Sequence, residues 1–305
     1  MAFQKAVKTN AKLRLALTGG AGSGKTFTAL TLAKNLGTKI AVIDTEHGSA
    51  SKYADIFDFD VLELAPPYHP QRFCDAIIDA SEDGYDVIII DSISHAWAGT
   101  GGVLELVENA AELSQSKNSY AAWKNITPVQ NQLVETILAA PIHVICTMRA
   151  KQEYVIVEKE KNGRKIQAPE KIGLAPIQRA EFEYEFDVVL MLDQNNIASV
   201  MKTRCPELQG AIIQKPDDEL AKILKNWLIG EKSPKQEALE KARRRFHAIG
   251  KELHGKNWDA KRHEIIEKAT EGKATSTNDL NVEWLNYLAD GLQKKLNAQL
   301  DAAAA

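Results

Sequence analysis

The stretch Gly19-Gly20-Ala21-Gly22-Ser23-Gly24-Lys25-Thr26 constrains this chain more than any other feature. It has the form Gly-x4-Gly-Lys-Thr and follows the apolar run Leu13 to Leu17. It opens a helix-compatible segment, Phe27 to Leu36, that Gly37 closes. A strand, a glycine-rich turn and a helix in immediate succession form a cradle for phosphate. Glycines let backbone N–H groups curl around phosphate oxygens at a helix N-terminus, where the helix dipole favours anions. Gly19, Gly20, Ala21, Gly22, Ser23 and Gly24 thus read as triphosphate contacts, with Phe27 just inside the helix. Lys25 has the reach and charge for the β- and γ-phosphates, and the Thr26 hydroxyl suits Mg²⁺.

Up to about Gly230 short apolar runs alternate with helix-length segments, the pattern of a parallel α/β sheet. The expected strands are Leu13–Leu17, Ile40–Asp44, Val61–Leu64, Val87–Asp91, Ile142–Met148 and Val188–Leu192. The unbroken apolar core Val87-Ile88-Ile89-Ile90 predicts a central strand covered on both faces. Helices are expected over Pro70–Glu82, Val103–Leu113 and Ala121–Ala139. From about Ser233 the composition shifts to Lys, Glu, Ala and Leu, with helical stretches near Lys235–Leu253, Asp259–Thr270 and Val282–Ala298. Asn257 and Asn278 stand where N-caps belong. The reading is an ATPase core with a short N-terminal arm over 1–232 and a small all-helical domain over 233–305, joined through Gly-Glu-Lys-Ser-Pro.

A formal charge of −3 in 305 residues excludes a globally basic nucleic-acid binder, so any such contact must be local. Three scattered cysteines form neither a CxxC pair nor a disulfide framework. No signal region or membrane-length apolar run is present, so the expected setting is cytoplasmic, without membrane association.

Two carboxylates join the phosphate loop. Asp91 ends the apolar run 87–90, so it emerges at the carboxyl edge of the sheet, where it can hold the Mg²⁺ shell. Ile40-Ala41-Val42-Ile43-Asp44-Thr45-Glu46-His47 ends at the same edge, which puts Glu46 near a γ-phosphate, able to orient or deprotonate water. In isolation Asp91 is equally an ordinary strand end before a turn, and the Asp-x-Glu that carries Glu46 reads first as a solvated acidic turn.

The order phosphate loop, Ile-Asp-x-Glu-His, apolar run-Asp-Ser resembles that of the RecA/Rad recombinase superfamily, and most of all its phage-encoded ATPases linked to single-strand annealing. The resemblance covers roughly residues 10 to 230. It extends through His95-Ala96-Trp97, Tyr120-Ala121-Ala122-Trp123-Lys124, Thr147-Met148-Arg149, Ile177-Gln178-Arg179, Glu183-Tyr184-Glu185-Phe186-Asp187 and Lys202-Thr203-Arg204-Cys205-Pro206. It implies a RecA-like, mainly parallel sheet flanked by helices, ATP and Mg²⁺ as cofactors, and a bacterial host cell if the chain is phage-encoded. It implies Glu46 as the catalytic carboxylate, and Thr147 or Arg149 as the group that senses the γ-phosphate. Lys202 and Arg204 would reach into a neighbouring subunit's nucleotide site, so the resemblance also implies a homo-oligomer, as filament or ring.

The expected polymer partner is single-stranded DNA, with a single-strand-binding protein as a further candidate. Trp97, Lys117 and Trp123 lie in one candidate DNA region, where aromatics interleave with glycines and lysines. Lys151, Arg164, Lys165, Lys171 and Arg179 lie in a second, a hairpin about Asn162-Gly163. Core anchoring of the tryptophans and a plain solvated hairpin are the structural alternatives. Arg243-Arg244-Arg245 is a basic run without an assigned role. Phe3-Gln4-Lys5-Ala6 matches a Phe-x-x-Ala docking pattern, as does Phe73-Cys74-Asp75-Ala76 in a helix core. The competing functions are a DnaB-like ring translocase or helicase, and a nucleotide switch that loads a protein partner.

Overall fold

The computed structural model describes residues 11–114, 118–161, 164–229 and 234–304. The expected segment Phe3-Gln4-Lys5-Ala6, Lys117 and the Asn162-Gly163 turn lie outside the described residues, as does 230–233 of the expected linker. The chain divides into two compact units, Met1–Gly230 and Glu231–Ala305.

The first unit is built on a nine-stranded sheet: β1 (Arg14–Gly19), β2 (Ile40–Asp44), β3 (Asp60–Glu63), β4 (Val87–Asp91), β5 (His143–Lys161), β6 (Arg164–Pro176), β7 (Val188–Leu192), β8 (Ile197–Thr203) and β9 (Ile212–Gln214). The spatial order is β3-β2-β4-β5-β1-β7-β8-β9, and off this path β6 pairs with β5. The six strands from β3 to β7 run parallel, while β8, β9 and β6 pair antiparallel. This is the α/β phosphate-loop fold that the alternation predicted.

Strand alternation feeds two cores. Leu15, Leu17, Val87 and Ile89 point to the face that α1 (Lys25–Leu36) and α6 (Asp218–Ile229) cover. Ala16, Ile88, Ile90, Val144 and Cys146 point to the other, under α2 (Pro70–Glu82) and α5 (Ser119–Ala139). The short α3 (Ser94–Ala98) and α4 (Val103–Leu113) lie between α2 and α5 in sequence. All five β4 residues are buried, as the apolar run 87–90 predicted for a central strand.

Several element boundaries differ from expectation, three of them for identifiable physical reasons. The strand expected at Ile142–Met148 continues to Lys161, because its outer half pairs with β6 rather than ending at the sheet edge. Helix α5 starts at Ser119, since the Asn118 side chain accepts the Tyr120 N–H at 2.9 Å, and it runs through Pro128. The first strand begins at Arg14, a charge inside what reads as an apolar run. Its guanidinium donates to the carbonyls of Leu13, Leu138, Ala140 and Ile142. A buried charge is tolerable only when so paired, and these bonds satisfy the open end of α5.

The second unit holds α7 (Pro234–His254), α8 (Trp258–Ala269) and α9 (Val282–Ala304) about a core of Phe246, Trp258, Ile266, Leu285 and Ala289. Asn257 occupies an N-cap position without a capping hydrogen bond. Asn278 lies inside a short turn that Ser276 and Asp279 close as a capping box. Asn281, not Asn278, accepts from the Trp284 N–H at 2.9 Å at the start of α9. The three arginines are spent locally: Arg243 donates to Thr277 O, Arg244 pairs with Glu240 and Arg245 with Asp290.

Candidate nucleotide site

Register alone brings the expected residues level. Gly19 of β1 stands opposite Arg149 on one side and Leu192 on the other, Leu17 opposite Thr147, and Asp44 opposite Asp91. These carboxyl ends surround a cleft of about 430 Å³ lined by Gly19, Gly22, Lys25, Thr26, Glu46, Asp91 and Arg149.

The loop has the shape its glycines predicted. Gly24 takes a left-handed conformation (φ 82°), and a Cβ there would lie 2.3 Å from Asn196 Nδ2. Lys25 Nζ folds back onto the carbonyls of Gly19 (3.1 Å) and Gly20 (2.8 Å). Burial lowers its proton affinity, and the charges of Asp91 and Glu46 partly restore it. Phe27 does not face the loop. It makes edge contacts with Tyr53 at 5.7 Å and Phe57 at 5.3 Å.

Asp91 is almost wholly buried at 2 % exposure. Thr26 Oγ1 donates to its Oδ2 at 2.6 Å, and Thr147 Oγ1 donates to its Oδ1. Burial raises the Asp91 pKa, and the two hydroxyl donors oppose that shift. A hydroxyl that donates to a carboxylate keeps its lone pairs for a cation. Thr26 and Asp91 therefore present hard oxygen donors that fit Mg²⁺, the remaining ligands being phosphate and water. They would hold the ion, and it would neutralise charge on the transferred phosphate.

Glu46 is set by its own turn. Asp44 accepts from the N–H groups of Glu46 (2.6 Å) and Ala50 (2.8 Å), which pins 44–50 in place. The Glu46 carboxylate takes a two-pronged contact from Arg149, Nε at 2.7 Å and Nη2 closer, and a hydrogen bond from Ser92 Oγ at 3.2 Å. Burial pushes the Glu46 pKa up, but the hydrogen bonds and charge of Arg149 more than offset it, and the net shift is downward. Behind it, Thr45 Oγ1 contacts His95 Nδ1 at 2.6 Å, and His95 stacks on Tyr68. Burial and the Arg149 charge depress the His95 pKa.

The structure does not bring every expected residue to this cleft. Lys202 pairs with Val189, near the opposite edge of the sheet, and donates to the carbonyls of Glu183, Tyr184 and Phe186. Arg204 pairs with Asp187 at 2.9 Å. Trp97 and Trp123 stack on each other at 5.8 Å, half-buried, and so pin α3 to α5. Lys151 and Arg179 line a separate groove of about 420 Å³ with Leu174 and Met191, and Arg179 reaches Asn131 at 3.4 Å. Arg164, Lys165 and Lys171 lie on β6, with side chains outside those described.

Two contacts to the phosphate loop itself were not legible in the sequence. Gln194 and Asn196, in the turn between β7 and β8, bond to carbonyls of the phosphate loop. An Asn-rich turn carries no motif, and only the strand order places it beside residues far away in sequence.

No curated protein matches the chain. No described helix is long and apolar enough to cross a membrane. A family model described as AAA domain matches residues 11–211, about two thirds of the 305 residues. That match and the mostly parallel sheet fit a phosphate-loop ATPase. On this evidence, with the match spanning every strand that borders the cleft, the chain belongs to the AAA domain family.

Proposed function

We propose that the chain is a Mg²⁺-dependent ATPase of the RecA-like, phage recombination kind, which binds single-stranded DNA and promotes annealing or pairing as a filament or ring. The observation that carries the hydrolytic part is the convergence of Lys25, Thr26, Asp91, Glu46 and Arg149 on one cleft. Lys25 leaves the Gly19 and Gly20 carbonyls for the β- and γ-phosphates. Thr26 and Asp91 would hold the Mg²⁺ that offsets charge on the phosphates. Glu46, held ionised, takes a proton from the attacking water once Arg149 releases it. Arg149 is the better sensor of the two alternatives: Thr147 is fully buried and donates to Asp91, whereas Arg149 lines the cleft and its head can turn to a γ-phosphate.

The DNA part rests on continuity. Strand β5 carries Thr147 and Arg149 at the cleft and runs on, through a register shift at Glu153/Tyr154, into the β5–β6 hairpin with its lysines. A phosphate-dependent movement of Arg149 would therefore reach a basic hairpin directly. Assembly is supported by an apolar sheet surface on β8 and β9, where Met201 is 63 % and Ile212 73 % exposed. Lys202 and Arg204 stand at the edge remote from their own phosphate loop, so any action on a nucleotide must be on a neighbour's.

The test is steady-state ATP hydrolysis with and without oligo(dT), alongside annealing of complementary strands. The proposal expects DNA to raise the rate and ATP to alter annealing. An unchanged rate and unchanged particle size would favour the nucleotide-switch loader, and unwinding of a forked duplex would favour the translocase.

A further inference from the structure

The phosphate loop is held by more than its own residues. Gln194 Nε2 donates to Ala21 O at 2.9 Å, and Asn196 Nδ2 donates to Ser23 O at 2.8 Å. Both come from the turn that joins β7 to β8. That turn is itself fixed: Asp193 Oδ1 accepts the N–H groups of Asn195 (2.8 Å) and Ile197 (2.9 Å). Asn196 sits at φ 59°, a left-handed conformation that asparagine tolerates better than most residues.

The consequence follows from peptide geometry. In a planar trans peptide, the carbonyl of one residue and the N–H of the next point in opposite directions. Tying the Ala21 and Ser23 carbonyls to the turn therefore aims the Gly22 and Gly24 N–H groups away from it. The Gly19 and Gly20 carbonyls are held differently, by Lys25 Nζ, which must leave them to meet a phosphate. The two carboxamides need not move.

We propose that Asn196, assisted by Gln194, is a positioning residue that keeps the phosphate loop's N–H groups oriented for a triphosphate. The inference rests on the nucleotide reading of Gly19–Thr26. Asn196 is half-buried and Gln194 exposed, so Asn196 carries the larger share.

Binding of a fluorescent ATP analogue with Mg²⁺ to the full chain tests this. Asn196→Gly keeps the left-handed backbone without strain and removes the amide. Asn196→Asp keeps the shape but sets an acceptor against Ser23 O. The expected result is about tenfold weaker binding for Asn196→Gly and a larger loss for Asn196→Asp. Gln194→Ala, on the surface and safe for folding, should cost about threefold. KM for ATP should rise with kcat nearly unchanged, because the lost orientation serves ground and transition states alike. A lowered Tm with wild-type binding and KM would overturn the inference. Lys25→Ala separates the two levels. If it abolishes binding while the Asn196 variants bind normally, the clamp alone fails. If Lys25→Ala also binds normally, the nucleotide reading fails with it.

Discussion

His143 shows how far a single side chain outside the cleft is committed by its surroundings. It is 7 % exposed, and its Nδ1 accepts the Leu13 N–H at 2.9 Å, which requires the neutral ring. Burial, then the charges of Lys12 and Arg14, push its pKa from 6.5 to about 4. The unfolded chain takes up the proton near pH 6.5 and the folded chain only near 4. This contribution to stability is therefore complete above 6.5 and lost as pH falls toward 4, by roughly 3 kcal/mol. Urea unfolding at pH 7 and pH 4.5 should show a smaller acid loss in His143→Asn, which supplies an uncharged acceptor in place of Nδ1. Equal losses in the two proteins would refute this. At this scale the sequence was readable wherever one residue type is chemically required. Gly19, Gly22, Lys25, Thr26, Glu46 and Asp91 all line one cleft, as the strand–loop–helix pattern and the two acidic strand ends predicted. The Arg149 contact to Glu46 was not readable, because it depends on the register of β5 against β1.

Among elements, the β5–β6 hairpin has the clearest consequence. Its base is fixed: Arg149 N donates to Ser94 Oγ at 3.0 Å, and Ile177 N to Arg149 O at 2.7 Å. Among the described residues its outer part pairs with no other strand of the sheet. Replacing residues 154 to 172 by a short Gly-Ser link should leave basal ATP hydrolysis within about twofold and abolish its stimulation by oligo(dT). Retained stimulation would move the DNA contact elsewhere. Trp97 and Trp123 stack on each other and stay half-buried, outside the two sheet cores. The parallel strands and α2 were legible from apolar runs, Pro70 at the helix start and flanking turns. The hairpin about 162–163 was legible from its turn, but its merger with β5 into one strand was not, because that depends on the pairing of Ala150–Glu153 with β6.

The molecule as a whole is two units with separate cores, the second carried by Phe246, Trp258 and Leu285. The family match, residues 11–211, lies within the first unit. The composition shift near Ser233 foretold a helical end but gave its helices no task. The exposed Met201 and Ile212 were invisible in the sequence, since which sheet face lacks a helix depends on topology. If that surface meets a second copy, Met201→Asp should reduce particle size with ATP in light scattering while nucleotide affinity stays within about twofold. Unchanged particle size would exclude this face as the assembly surface. If Glu46 is the base of an ATP-hydrolysing site, steady-state hydrolysis by Glu46→Gln, measured beside its nucleotide affinity, will show binding within about threefold of wild type and turnover at least ~100-fold lower. Wild-type turnover in Glu46→Gln would contradict that role.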